Sequence, residues 1–286
     1  MSTPDQIYAK QYGNMVSMLA QQKGSRLRDT VTIKSGVTGE ETYMDQLKAF
    51  EAETRGARLE QTNPSLASYA RRRIALEDQY IAKAIDKMDD LRTLSDPTSA
   101  IVKSGIAGMG RKIDDIIIAA ASGTAYTGKT GGTSTSLPTT QKVAVGTTNM
   151  TLAKWLSALE ILNGNDIDPD EEKYLIIGSS QLSSLLNTTE IKSADYNSVK
   201  TLVEGKIDTY LGCKVIRTER LALASTTRSC LLYAKSGIGL AIGRDVTSRI
   251  DELPDQHYVK QIYFSMAMGA SRLEEEKVVE IACSEA

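Results

Sequence analysis

The longest uninterrupted helical pattern in the chain runs from about Asp96 to about Ser122, and it limits how every other segment can be arranged. Asp96 is a good N-cap, and Pro97 suits the first helical position, where its missing N–H leaves nothing unpaired. Ser122 and Gly123 end the segment with small residues of the kind that close helices. Ile113, Ile116, Ile117 and Ala120 fall at the spacing of one buried face, which places Arg111, Lys112, Asp114 and Asp115 on the opposite side. At 25 or so residues such a helix is roughly 37 Å long, well beyond the average. Gly105, Gly108 and Gly110 interrupt it at about 1 kcal/mol each relative to alanine. Close approach of a flat β-layer is one reason for glycine there; a hinge is the other.

The full chain of 286 residues is long enough to bury a complete core, as one elaborated domain or two. Its 41% apolar and 24% charged residues exclude a disordered chain. A formal net charge of −2 supplies no overall attraction to nucleic acid or anionic membrane. No run of apolar residues is long enough for a membrane-spanning helix, so no membrane partner is expected. The start, Met1-Ser2-Thr3-Pro4-Asp5-Gln6, has no basic or apolar leader pattern, and cytoplasmic synthesis is expected. Cys213, Cys230 and Cys283 are far apart and form no C-x-x-C pair. They read as small core residues, without a zinc site or disulfide framework.

Taken in order, Ile7 to Gln22 is a weakly amphipathic arm with a short helix, too poor in large apolar residues to make a core. Arg26 to Gln46 reads as β structure, with a turn or bulge at Gly36 and Gly39. Lys48 to Asn63 is polar and charged, with only Phe50 and Leu59 as large apolar residues, and so forms a long excursion from the core. Arg71-Arg72-Arg73 opens a strand expected to run to Tyr80, followed by a helical turn from Ile85 to Leu91. The arginines form either a phosphate-contacting cluster or a salt-bridged edge, and inter-subunit ion pairs are compatible with both. Thr124 to Thr148 reads as a mobile Gly/Ser/Thr-rich surface loop. Met150 to Leu162 is an amphipathic helix, and Lys173 to Gly178 a buried strand. Helices at Ser179–Asn187 and Ser193–Glu204 follow, with strands at Lys206–Tyr210, Cys213–Thr218 and Ser229–Ala234. Tyr258, Ile262, Phe264, Met266 and Met268 mark one face of a long strand, and Val278 to Cys283 is the last. These two are expected to pack together under the long helix.

Three patterns invite an enzymatic reading. Gly123 to Thr130 fits the spacing of a phosphate-binding loop, which requires a strand before it and a helix after it. Here a helix leads in and Gly131-Gly132-Thr133-Ser134 leads out, so a nucleotide hydrolase using Lys129 is the minor alternative. Asp166, Asp168 and Asp170 have the spacing of a calcium loop, but Glu171 stands where the sharp turn needs glycine and Ile177 where a bidentate Glu belongs. His257, the only histidine, has no nucleophile motif near it and is read as a strand-edge residue. No catalytic residue, cofactor site or metal site is assigned, and the chain is read as a non-enzyme.

The order of segments carries more. The arm and excursion lead through Arg71-Arg72-Arg73-Ile74 into Asp86-Lys87-Met88-Asp89-Asp90-Leu91-Arg92-Thr93. Asp96-Pro97-Thr98-Ser99 opens the long helix, which carries Gly110-Arg111-Lys112-Ile113-Asp114. Gly205-Lys206-Ile207 then precedes Gly212-Cys213-Lys214-Val215 and Arg220-Leu221. From about Arg26 to Ser284 this layout resembles the major capsid proteins of tailed double-stranded DNA bacteriophages, which share the Hong Kong ninety-seven-like fold. Many relatives have proline after the leucine matching Leu221, where this chain has Ala222.

The resemblance implies an α+β fold with an N-terminal arm (1–25) and an extended loop (26–68) lying over a neighbouring subunit. A peripheral domain would comprise 69–123 and 253–286, with Asp96–Ser122 as spine and Tyr258–Cys283 in its long sheet. An axial domain (124–252) would cluster at fivefold and sixfold axes. The implied function is self-assembly of pentamers and hexamers into an icosahedral head, made in the host cytoplasm and located in the virion. The partners would be copies of itself, a separate scaffolding protein, a portal, a cement protein and non-specifically contacted double-stranded DNA. Phe50, Arg55, Arg58, Leu59, Arg71, Arg72 and Arg73 are expected at inter-subunit contacts, and Gly105, Gly108 and Gly110 where the spine flexes. A non-viral protein compartment of the same fold is the other reading.

Overall fold

The computed structural model describes residues 21–52, 54, 56–58, 61, 66–85, 98–187 and 209–285. The helices expected before Gln21 and at Ser193–Glu204, the cap at Asp96 and most of Lys206–Tyr210 lie outside them. In chain order come β1 (Thr32–Ser35), β2 (Glu41–Leu47), β3 (Tyr69–Ala75), β4 (Glu77–Ile85) and helix α1 (Thr98–Ser122). Next are β5 (Ala125–Thr127), β6 (Thr133–Thr135), β7 (Lys142–Val143), α2 (Leu152–Asn163), β8 (Lys173–Ile177) and α3 (Ser179–Asn187). The remainder is strand: β9 (Thr209–Tyr210), β10 (Cys213–Arg217), β11 (Leu223–Ala224), β12 (Thr227–Ala234), β13 (Ile238–Leu253), β14 (Val259–Arg272) and β15 (Val278–Ser284).

The chain divides into two compact units. One holds the described parts of Met1–Ser25, Asp78–Lys112 and Arg244–Ala267; the other holds those of Arg26–Glu77, Ile113–Gly243 and Met268–Ala286. In the first unit, β4 lies beside β14, and β14 beside β13. Ile262, Phe264 and Met266 alternate inward along β14 and are fully buried, as a half-buried strand requires. The front of α1 sits close on this layer. A Cβ on Gly105 would overlap the Phe264 ring, and one on Gly108 would lie 3.0 Å from Ile81 Cδ1. Gly110 meets Gly24, 2.6 Å from where its Cβ would be. Close approach therefore accounts for the glycines, and it offsets their low helix propensity.

The second unit is built on a seven-stranded sheet of order β7-β15-β12-β8-β10-β9, with β11 on β12. β8 and β10 pair in parallel, Cys213 opposite Lys173, while β12 runs antiparallel to both β8 and β15. Every residue of β8 is buried, as a strand covered on both faces must be. α2 packs against β15 and β7. Thr151 caps it, its side chain accepting the Lys154 N–H at 3.3 Å, and Trp155, Ala158, Leu159 and Leu162 form its inward face. Cys213, Cys230 and Cys283 are free thiols in this core, and burial pushes the Cys213 thiol up to about 11.

Several expectations need correction. Residues 124–148 are not wholly a surface loop: they supply the short strands β5, β6 and β7 and a 3-10 turn, and bury Ala125, Leu137 and Gln141. The strand from Arg71 breaks at Leu76 and resumes as β4, which runs past Tyr80 to Ile85; the rest of the turn expected to Leu91 lies outside the described residues. β15 does not join β14's sheet but pairs with β12 and β7. The buried face of α1 is centred on Ile113, Asp114, Ile117, Ile118 and Ala121, so Asp114 lies inside. Tyr258 and His257 form a left-handed turn at φ 58° and 55°, and Tyr258 is exposed.

Candidate self-assembly surface

β2 and β3 form an antiparallel hairpin in register from Glu41↔Ala75 to Leu47↔Tyr69, extended by the Lys48 N–H to the Ser68 carbonyl. β5 and β6 continue the sheet beyond β3. Alternation along β3 turns Arg72 and Ile74 inward and Arg71 and Arg73 to the other face. Contact at glycine fixes the hairpin's inner end: a Cβ on Gly269 would overlap the Ala75 carbonyl, and one on Gly239 would lie 2.7 Å from Met44 Sδ.

Each predicted arginine of β3 has an intramolecular partner. Arg71 grips Asp45 through two hydrogen bonds of 2.5 and 3.1 Å and lies over the Tyr43 ring at 5.3 Å. The hydrogen bond from Arg71 holds the Asp45 carboxyl below its ordinary range. Arg73 pairs with Glu41 at 2.6 Å and lies over Tyr126. Arg72 is buried; its Nε donates to the Leu273 carbonyl at 2.7 Å and its Nη2 pairs with Glu275 at 2.5 Å. The salt-bridge reading of the triple arginine is thus what the fold uses within one chain.

Phe50 and Arg58 are exposed, Phe50 by 67%, while Arg55 and Leu59 lie outside the described residues. Leu47, Leu66 and Tyr69 join Phe50 as large exposed apolar side chains at the outer end of the hairpin. Leu66 is 98% exposed. Leu47, Leu66 and Tyr69 are not among the contact residues expected from sequence. The pairing of Leu47 with Tyr69 across the ladder would have flagged two of them, since a strand end rich in large apolar residues lacks cover of its own.

The Gly123–Thr130 segment is the β5 hairpin. α1 enters it and β6 leaves it, so no helix N-terminus faces its amides. Asp168 accepts the Asp170 N–H at 3.0 Å, an ordinary Asx turn.

Three sheets, a long helix and a hairpin end with exposed apolar residues suit a subunit that completes itself against others. The profile of the phage capsid protein family matches residues 5–285. The chain belongs to the phage capsid protein family. Solved phage capsids share the capsid protein's fold. Against the capsid of Ralstonia phage GP4 the TM-score is 0.77 at 10% identity, covering 99% of this chain and 97% of that one. The capsid of cyanophage P-SCSP1u gives 0.76 at 17% identity, covering 99% and 94%. That of cyanophage Pam1 gives 0.75 at 14%, covering 100% and 98%. No curated protein matches the sequence. The α+β fold is that of Hong Kong ninety-seven-like capsid proteins. Family and fold are those of a structural capsid subunit located in the virion shell, and they indicate no catalytic role. No helix among the described residues is long and apolar enough to cross a membrane.

Proposed function

We propose that this capsid protein self-assembles into the pentamers and hexamers of an icosahedral head that encloses double-stranded DNA. The observation that carries the reading is the exposed apolar set Leu47, Phe50, Leu66 and Tyr69 on a hairpin whose inner end is fixed. Such residues gain free energy by burial at roughly 25 cal/mol per Å², and a neighbouring copy supplies the cover. In this reading residues 26–68 are the extended loop, with Phe50, Arg55, Arg58 and Leu59 reaching a neighbour. Arg71 and Arg73, partly exposed beside their own carboxylates, border that contact, and Arg72 anchors its base. Residues 124–252 form the axial domain that clusters about the fivefold and sixfold axes. Small bends of α1 at Gly105, Gly108 and Gly110 accommodate the different local angles. A separate scaffolding protein, a portal and a cement protein complete the head.

Expression of the full chain, with particles imaged by electron microscopy and their contents assayed for nuclease-protected DNA, tests this. Closed shells are expected from the wild type, and folded but unassembled subunits from a deletion of residues 48–63. Normal shells from the deletion would overturn the role given to the excursion. Shells filled with protein cargo instead of DNA would favour a non-viral compartment.

A further inference from the structure

We propose that the tip of the β13–β14 hairpin of one copy seats in a cationic groove on the β2-β3-β5-β6 sheet of a second copy. The inference rests on the self-assembly reading above and names one contact within it.

The groove has a volume of about 690 Å³, and Lys48, Tyr69, Arg71, Thr127 and Lys129 are among its lining residues. Its one carboxylate, Asp45, is committed to Arg71 through two hydrogen bonds. The ammonium groups of Lys48 and Lys129 are exposed and have no acidic partner among the described residues. The groove is preformed. Thr127 Oγ1 donates to the Arg71 carbonyl at 3.0 Å, and Lys129 sits in a tight turn set by Gly128 at φ 97° and Gly131 at φ 64°. Gly131 packs so closely on Arg73 that a Cβ there would overlap its side chain. A rigid turn carrying an exposed lysine presents its charge at little cost in entropy when a partner arrives.

The tip of the other hairpin is the complement. Asp251 and Asp255 are exposed and have no cationic partner among the described residues. Ile250 is 54% exposed and Tyr258 57%. Pro254–Gln256 form a 3-10 turn, and His257 and Tyr258 follow in consecutive left-handed conformations at φ 55° and 58°. L-residues adopt that conformation at a cost, which the tip bears in order to hold one shape. The carboxylates of Asp251 and Asp255 thus meet the ammonium groups of Lys48 and Lys129, and Ile250 and Tyr258 meet Tyr69, itself 74% exposed. A DNA strand would satisfy the lysines and leave these apolar side chains uncovered. A second copy satisfies both, and opposite charges also set the register of the contact.

The test uses full-length chains. A copy with Lys129→Cys and a differently tagged copy with Asp255→Cys are co-expressed, and the particles are oxidised. Because the native cysteines are buried, background cross-linking is low. A disulfide-linked dimer carrying both tags is expected in mixed particles, and none from either variant alone. Separately, Lys48→Glu with Lys129→Glu should abolish closed shells, and adding Asp251→Lys with Asp255→Lys to the same chain should restore them. Mixed particles of normal shape without the linked dimer overturn the proposal, as do normal shells from the doubly reversed lysines. Failure of the four-fold swap to restore shells also overturns it, and so does an intact shell that has lost only its DNA. Failure of the wild type to form shells strikes the self-assembly reading instead.

Discussion

The Asp114 carboxylate accepts the backbone N–H of Leu27 at 3.1 Å, and that of Arg26 at 3.0 Å. Asp114 is fully buried on α1, so a helix residue supplies the acceptors for two amides just ahead of β1. Asp114→Ala leaves those groups without their acceptor and should lower the unfolding free energy by about 2–3 kcal/mol. Asp114→Asn keeps one oxygen and should cost less. Urea titrations of the two variants beside the wild type check the ranking.

Gly269 and Gly36 should respond differently to alanine. A methyl group on Gly269 overlaps the backbone carbonyl of Ala75, which cannot step aside as a side chain could. Gly269→Ala should therefore cost about 3 kcal/mol or more and yield little soluble protein. Gly36, at φ 71° with open space around it, should cost only about 1 kcal/mol as alanine, the price of the left-handed backbone. Soluble yield and thermal midpoint distinguish the two.

Arg272 is fully buried, and its Nη1 donates to the Ala121 and Gly123 carbonyls at 3.0 and 2.7 Å. Its Nη2 donates to the Thr135 carbonyl at 3.0 Å. One guanidinium thereby satisfies carbonyls at the end of α1 and ties them to β6. Arg272→Met should destabilise by about 3 kcal/mol or more, because buried acceptors lose a charged donor. Arg272→Lys should recover little of that, since an ammonium cannot reproduce the planar fork. Chemical denaturation monitored through Trp155 reports both.

Glu172 accepts from Lys214, from Tyr174 at 2.7 Å and from Lys235 at 3.2 Å. Those hydrogen bonds, the one from Lys214 foremost, hold its carboxyl down at about 2, against an ordinary value of 4.5. A depressed folded value means the contribution is complete above 4.5 and fades as pH falls towards 2. Glu172→Gln should lower the denaturation midpoint at pH 6 by a small amount and leave it nearly unchanged near pH 2. Equal loss at both pH values would contradict the assignment.

Much of this architecture was legible because it is periodic. The spine helix, the α2 face from Trp155 to Leu162, the buried strand Lys173–Ile177 and the alternation of Ile262, Phe264 and Met266 all follow from local hydrophobic spacing. The glycines of α1 signalled a close layer, and Phe264 is that layer. Arg71, Arg72 and Arg73 were visible as a cluster, but their partners Asp45, Glu275 and Glu41 stand from 26 to 203 residues away in the chain.

What the chain decides by itself is which segments bury a face and with what period, since that depends only on side-chain chemistry and spacing. Tertiary structure alone decided that Asp114 faces inward, that β15 leaves β14 for the sheet of β12, and that residues 124–148 contribute β5 and β7 to two sheets. Each of these outcomes depends on a hydrogen-bond partner distant in sequence. Backbone groups and buried charges must be satisfied by whatever the fold brings within about 3 Å, and local pattern carries no record of that partner.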